Sequence, residues 1–159
     1  MSRTPIVVGN WKLNQSMSES LELVTALKNR TASIRGVDVG VAPVYVSLAA
    51  VAKRTEDSPI TVFGQDCFWE TKGAYTSAVS APFLADAGAG GVIVGHSERR
   101  SVFGDNDENV GRKARAGLDA GLRVIVCVGE TDAERDAGTT EARVSAQLSG
   151  GLSSVGADD

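Results

Sequence analysis

VIVGHSERRS, residues 92–101, passes from an unbroken apolar run through one glycine into a charged stretch. The run lacks the alternation of a strand with one wet face, so it reads as a strand covered on both sides, and the charged residues after it read as the opening of a helix. A buried strand feeding directly into a helix is the first half of a crossover between parallel strands. His96 stands at that junction and is the only histidine in the chain.

The same transition recurs on either side. Upstream, Ile6-Val7-Val8 begins an apolar strand that ends near Trp11, and residues 17–30 carry Met17, Leu21, Val24 and Leu27 at helical spacing. Residues 37–42 form a second strand, and Pro43 suits the start of a helix with Val44, Leu48, Val51 and Ala52 as apolar positions. The third strand, 60–64, is followed by QDCFWETKGAYTSAVS, residues 65–80, and a short helix near 82–87. That connection is too long for an ordinary strand-to-helix loop, which makes it a candidate for function or assembly. After the fourth strand, 91–95, comes a helix over 106–119 with Val110, Ala114 and Leu118 four apart and Gly121 as its C-terminal cap. A fifth strand covers 122–128, and helical pieces over 132–154 break around Gly138. Five β/α units are predicted in one parallel α/β sheet; the pattern alone leaves an open sheet and a barrel both standing.

Composition narrows the function classes. With 42% apolar and 23% charged residues and only 4 prolines, the chain reads as globular and away from disorder. The formal charge of −4 argues against non-specific binding to nucleic acid or anionic membranes, though a local basic pocket for an anion stays open. No apolar span is long enough for a transmembrane helix, and the N-terminus lacks a secretory signal, so a cytoplasmic location is expected. The two cysteines, Cys67 and Cys127, match neither a disulfide framework nor a metal-site spacing. Neither a G-x-G-x-x-G fingerprint nor a Walker loop is present, which lowers the dinucleotide and nucleotide readings.

Ligands in parallel α/β folds sit beyond the carboxyl ends of the strands. Three such ends carry polar residues: Asn10, Lys12 and Asn14 after the first strand, His96, Glu98, Arg99 and Arg100 after the fourth, Glu130 after the fifth. Lys12 suits a phosphate or a forming oxyanion, or is an ordinary exposed lysine. Asn10 either bonds the lysine or substrate or closes a turn. His96 can move protons near neutral pH, or satisfy local backbone groups. A helix starting after it disfavours the imidazolium and favours neutral donation to a carbonyl oxygen. Glu98 organises the site or simply occupies a first helical turn, and Arg99 and Arg100 bind phosphate or form ion pairs. Cys127, inside RVIVCVG, reads as a small core residue before it reads as a nucleophile.

GNWKLN at 9–14, GQDCFWETKGAYTSAVS at 64–80, VGHSERR at 94–100 and CVGE at 127–130 together resemble the triosephosphate isomerase family in order and spacing. The resemblance implies a TIM (β/α)8 barrel, with residues 1–159 as the N-terminal portion of a single barrel domain covering about the first five β/α units. It implies interconversion of dihydroxyacetone phosphate and glyceraldehyde 3-phosphate, in glycolysis and gluconeogenesis, with no cofactor and no metal, in a homodimer. Lys12 and His96 carry over as catalytic, Asn10 and Lys12 as substrate-binding, Glu98 and Cys127 as supporting residues. Residues 65–80 resemble the arm that interlocks two subunits, with Thr76 and Tyr75 at the interface. Departures from the family occur there: Ser77 replaces a usual glycine, Ala78 a usual glutamate able to pair across the interface, and Asp66 a frequent asparagine.

Barrels of this kind typically run to about 250 residues, so roughly 90 have no counterpart in this sequence. The family's catalytic glutamate, mobile loop and most of its phosphate cradle belong to that portion. The 159 residues alone are therefore expected to be inactive and to need a complementary C-terminal segment or chain. The rival expectation is a noncatalytic assembly or phosphosugar-binding fragment derived from the barrel.

Overall fold

The structure, a computed structural model, describes residues 3–157. Its elements run β1 (Ile6–Asn10), α1 (Met17–Thr31), β2 (Asp38–Ala42), α2 (Tyr45–Thr55), β3 (Ile60–Gly64), α3 (Ala81–Asp86), β4 (Gly91–Val94), α4 (Ser97–Phe103), α5 (Asp107–Asp119), β5 (Arg123–Val126), α6 (Asp132–Asp136) and α7 (Thr140–Gly151). All five strands are parallel and lie in sequence order, β1-β2-β3-β4-β5. Sequential parallel pairing with helical crossovers on one face is the construction of a barrel wall, and the sheet forms a half-barrel.

Two layers of packing produce the curl. Between sheet and helices lie Val24, Val41, Leu48, Val51, Val62, Leu84, Val92, Val94, Val110 and Ala114. On the concave face a second cluster of Ala42, Phe63 and Ile93 is bordered by Val8, Ile125 and Cys127. Phe63 fills the space that Gly40 and Gly91 leave on the strands beside it. A Cβ on Gly91 would lie 2.2 Å from the Phe63 ring and one on Gly40 2.7 Å from it, so neither neighbour can carry a side chain. At the amino ends, Arg123 of β5 donates to Asp38 of β2 at 2.8 Å, an ion pair across the concave face that only a strongly curved sheet allows.

Local signals explain the element boundaries. Ser16 and Glu19 form a reciprocal capping box at the start of α1, and Thr131 with Glu134 does the same for α6. Asn106 caps α5 through the Asn109 N–H, and Gly121 follows that helix at φ 73°, the left-handed turn expected of it. α6 and α7 are separated at residues 137–139, around Gly138.

The expectation of strands buried on both faces holds for β4, buried throughout, and fails for β1. Ile6 and Val7 are exposed, Val7 by 64%, because β1 and β5 are edge strands with one partner each. No described helix is long and apolar enough to cross a membrane.

Candidate active site

The carboxyl ends of β1 and β4 bring the sequence-predicted residues together. Beyond β1 the chain turns sharply, and Lys12 takes a left-handed backbone conformation at φ 53°. For a residue with a Cβ that conformation costs about 1–2 kcal/mol, so other contacts must hold it. Asn10 Oδ1 accepts the Lys12 N–H at 2.9 Å. Gln65 Nε2 donates to the Lys12 carbonyl at 2.8 Å and to the Ala42 carbonyl at 2.8 Å. Asn10 thus closes the turn and grips the lysine at once, two readings that the sequence left as alternatives. Gln65 lies 53 residues away from Lys12, at the root of the 65–80 arm, and no local pattern marks it.

The Lys12 ammonium donates to Glu98 Oε1 at 2.9 Å, and that bond holds the Glu98 carboxyl below its ordinary value. His96 caps α4: its Nδ1 accepts the Glu98 N–H at 3.2 Å. A ring nitrogen that accepts carries no proton, so the hydrogen-bond pattern assigns the neutral tautomer with its proton on Nε2. The approach of Nδ1 to Glu98 Oε2, 3.6 Å, is then proximity and not an ion pair. Asn10, Lys12, His96 and Glu98 line one cavity of about 990 Å3, which extends to the root and tip of the arm. An ammonium and a neutral N–H donor on one cavity suit the stabilisation of negative charge on a substrate oxygen.

The cavity's far side holds a cluster that sequence reading missed. Lys113, only 2% exposed, donates to both Asp66 oxygens at 2.9 Å and to Asp105 at 2.5 Å. Arg99 joins it, with Nε 3.1 Å from Asp66 and 3.5 Å from Asp105. Burial pushes the Asp66 carboxyl above its ordinary value, with Lys113 pulling the other way. Arg100 pairs with Asp107 at 2.5 Å. Both arginines, left open in sequence between phosphate binding and ion pairing, are therefore engaged by aspartates. The available signal was Lys113 itself, a lysine between Val110 and Ala114 on the apolar stripe of α5.

The arm is closed on itself. Phe68 N–H donates to the Val79 carbonyl at 2.8 Å, and the Phe68 ring stacks against Trp69 at 4.1 Å and Tyr75 at 4.7 Å. Arg112 lies 4.3 Å over the Trp69 ring. Tyr75 and Thr76 line the cavity, and Ser77 adopts φ 73°, a conformation suited to glycine. Cys127 is half-buried at the border of the concave cluster rather than fully buried, because β5 has a strand on one side only. Burial raises its thiol above the ordinary value, against the opposing pull of Arg100, so no thiolate nucleophile is activated there. Cys67, whose surroundings the sequence did not fix, is buried, and its thiol is pushed up to about 12.

The family model for triosephosphate isomerase matches residues 5–159. This chain belongs to the triosephosphate isomerase family. A triosephosphate isomerase from Pelobacter propionicus is 49% identical over 150 residues, covering 94% of this chain and 60% of that protein. One from Rubrobacter xylanophilus is 47% identical over 147 residues, covering 92% of this chain and 57% of its own. The crystal structure of triosephosphate isomerase from Bartonella henselae superimposes with a TM-score of 0.90 at 35% identity, over 94% of this chain and 62% of that one. The chain thus spans about three-fifths of the length of the curated relatives it matches. The half-barrel seen here is a TIM-barrel wall, as the sequence resemblance implied.

Proposed function

We propose that this chain supplies the lysine and histidine of an isomerase that interconverts dihydroxyacetone phosphate and D-glyceraldehyde 3-phosphate through an enediolate. The observation that carries the reading is the convergence of Lys12 and His96 on one cavity, joined by Glu98. Proton removal beside the substrate carbonyl places negative charge on oxygen. The Lys12 ammonium balances that charge and the phosphate, while the His96 Nε2–H donates to the substrate oxygens and passes protons between them. A neutral histidine in this role is a recognised feature of the family and is not new to this chain. Asn10 holds Lys12 and borders the substrate.

The reaction also needs a carboxylate base facing the substrate carbon. Among the described residues, the acids lining the cavity are already engaged: Glu98 by Lys12, Asp66 and Asp105 by Lys113. Glu130 is bound by Arg135 at 2.9 Å and does not line the cavity. The 159-residue polypeptide by itself therefore turns over little or nothing. A complementary segment or chain, pairing along the free edges of β1 and β5, brings the base and closes the barrel as one domain. Tyr75 and Thr76 sit on an arm suited to a second copy, as in a homodimer, and the enzyme acts in the cytoplasm on central sugar phosphates. The engaged acids favour one rival: by itself the polypeptide is a noncatalytic assembly or phosphosugar-binding module.

The test is isomerisation of glyceraldehyde 3-phosphate by the 159-residue chain at high protein concentration, with and without a polypeptide supplying the rest of a family barrel. Activity that appears on complementation and is lost in Lys12→Ala supports the isomerase. Saturable phosphosugar binding with no turnover in either state supports the rival.

A further inference from the structure

We propose that Arg100 is the residue that positions His96, by tying the end of β4 to β5 and α5. The inference rests on the role proposed for His96 and adds a residue to it.

Three bonds leave one guanidinium in three directions. Nε donates to the Gly95 carbonyl at 2.8 Å, Nη1 to Asp107 Oδ1 at 2.5 Å, and Nη2 to the Cys127 carbonyl at 3.3 Å. The Arg100 main-chain N–H adds a fourth, to the His96 carbonyl at 3.1 Å. Arg100 therefore holds the carbonyl before His96 with its side chain and the carbonyl of His96 with its backbone. The peptide plane entering His96 and the one leaving it are both fixed by the same residue.

Its setting makes that grip stiff. The Arg100 side chain is 12% exposed and Asp107 28%, so the pair is shielded from solvent on most sides. Gly95 stands at φ 70°, and a Cβ there would approach Val110 at 2.9 Å and Arg100 Nη2 at 3.1 Å, so a side chain at position 95 would crowd the guanidinium. Asp107 belongs to the first turn of α5, where an acid is favoured and its own position is well set. A planar fork with five donors can serve three acceptors at once, whereas a lysine ammonium in the same place serves Asp107 and leaves the two carbonyls beyond simultaneous reach. His96 depends on this because its Nδ1 must stay aligned on the Glu98 N–H for the proton to remain on Nε2.

The chain has one histidine, so its ring nitrogens give an unambiguous signal. The experiment labels only this chain with 15N, alone or with its complementing segment if solubility requires it, and records the His96 ring nitrogens in wild type, Arg100→Lys and Asp107→Asn. The expected result is the Nε2-protonated signature in wild type and movement of both nitrogens toward the tautomer average in the variants. In the complemented enzyme, kcat falls by on the order of ten- to a hundredfold in Arg100→Lys with KM nearly unchanged, as for a misplaced catalytic group. A folded Arg100→Lys chain with His96 nitrogens and kcat as in wild type overturns the proposal. If that variant does not fold, Asp107→Asn decides in its place, because it keeps the guanidinium and takes the negative charge from its anchor. A wild-type complex without isomerase activity defeats the proposed function and leaves the nitrogen signals to decide the role of Arg100.

Discussion

Two lysines face the same cavity, and they are built in opposite ways. Lys12 meets a single carboxylate, Glu98, with both side chains about half exposed. Lys113 is almost wholly enclosed and meets two carboxylates, with Arg99 beside it. An exposed pair in water holds its partners loosely and can exchange them for an arriving anion. An enclosed cluster cannot exchange anything without leaving a bare charge in the protein. Lys12 is left able to change partners, while Lys113 holds the arm root against α4 and α5, although the residue types are the same.

The sharpest way to break that contrast is Lys113→Met. Methionine keeps an unbranched chain of similar length, but Asp66 and Asp105 would face each other with only Arg99 to balance them. Stability is expected to fall by about 3–5 kcal/mol, the usual cost of removing one partner from a buried ion pair. Denaturant unfolding of the complemented chain measures it. A loss no larger than that of a surface substitution would mean that Lys113 is wetter than its enclosure suggests.

Asp66→Asn tests the same cluster from its acidic side, with a smaller effect of opposite sign. Burial is the largest influence on Asp66 and raises its carboxyl above the ordinary value of 3.8. A raised folded value means that the native state holds the proton more tightly than the unfolded chain. The associated stability is fully present below the unfolded value and is lost as pH rises through the folded one. At neutral pH the ionised Asp66 is thus a net burden, and an uncharged amide of the same shape, still able to accept from Lys113, relieves it. Thermal unfolding is expected to show the Asp66→Asn variant ahead of wild type at pH 7, with the two curves converging toward pH 4. A deficit at pH 7 would show that the attraction of Lys113 and Arg99 outweighs burial.

These two regions were unequally legible in the sequence. The β/α alternation could be read almost residue by residue, because apolar periodicity, a proline helix start and glycine stops are all local. Lys12 and His96 could be placed on one face by the strand-end rule, and their roles came from the family resemblance. Two sets of contacts around them could not be read, because Gln65 reaches Lys12 across 53 residues and Lys113 reaches Asp66 across 47, through a long irregular arm. A lysine in a helix looks solvated until its stripe is drawn, and Lys113 then stands among buried Val110, Ala114 and Gly117. Exposure of β1 was misjudged for another reason: burial of both faces is a property of a strand with two neighbours, and β1 pairs only with β2.

Lys12→Met should move stability least of all. It removes one end of an exposed pair, and the backbone grips from Asn10 and Gln65 on the left-handed turn do not involve the ammonium. The unfolding free energy is expected to change by no more than about 0.5 kcal/mol, within the usual range for surface positions. Turnover in the complemented enzyme is expected to fall by two orders of magnitude or more, the scale of losing a preorganised oxyanion partner. The two measurements must diverge for the contrast to stand. If Lys12→Met destabilises the chain as much as Lys113→Met, the ammonium at position 12 is a structural tie like that at 113. If neither stability nor turnover changes, the charge that balances the enediolate lies elsewhere, and the convergence of Lys12 with His96 would have no chemical consequence.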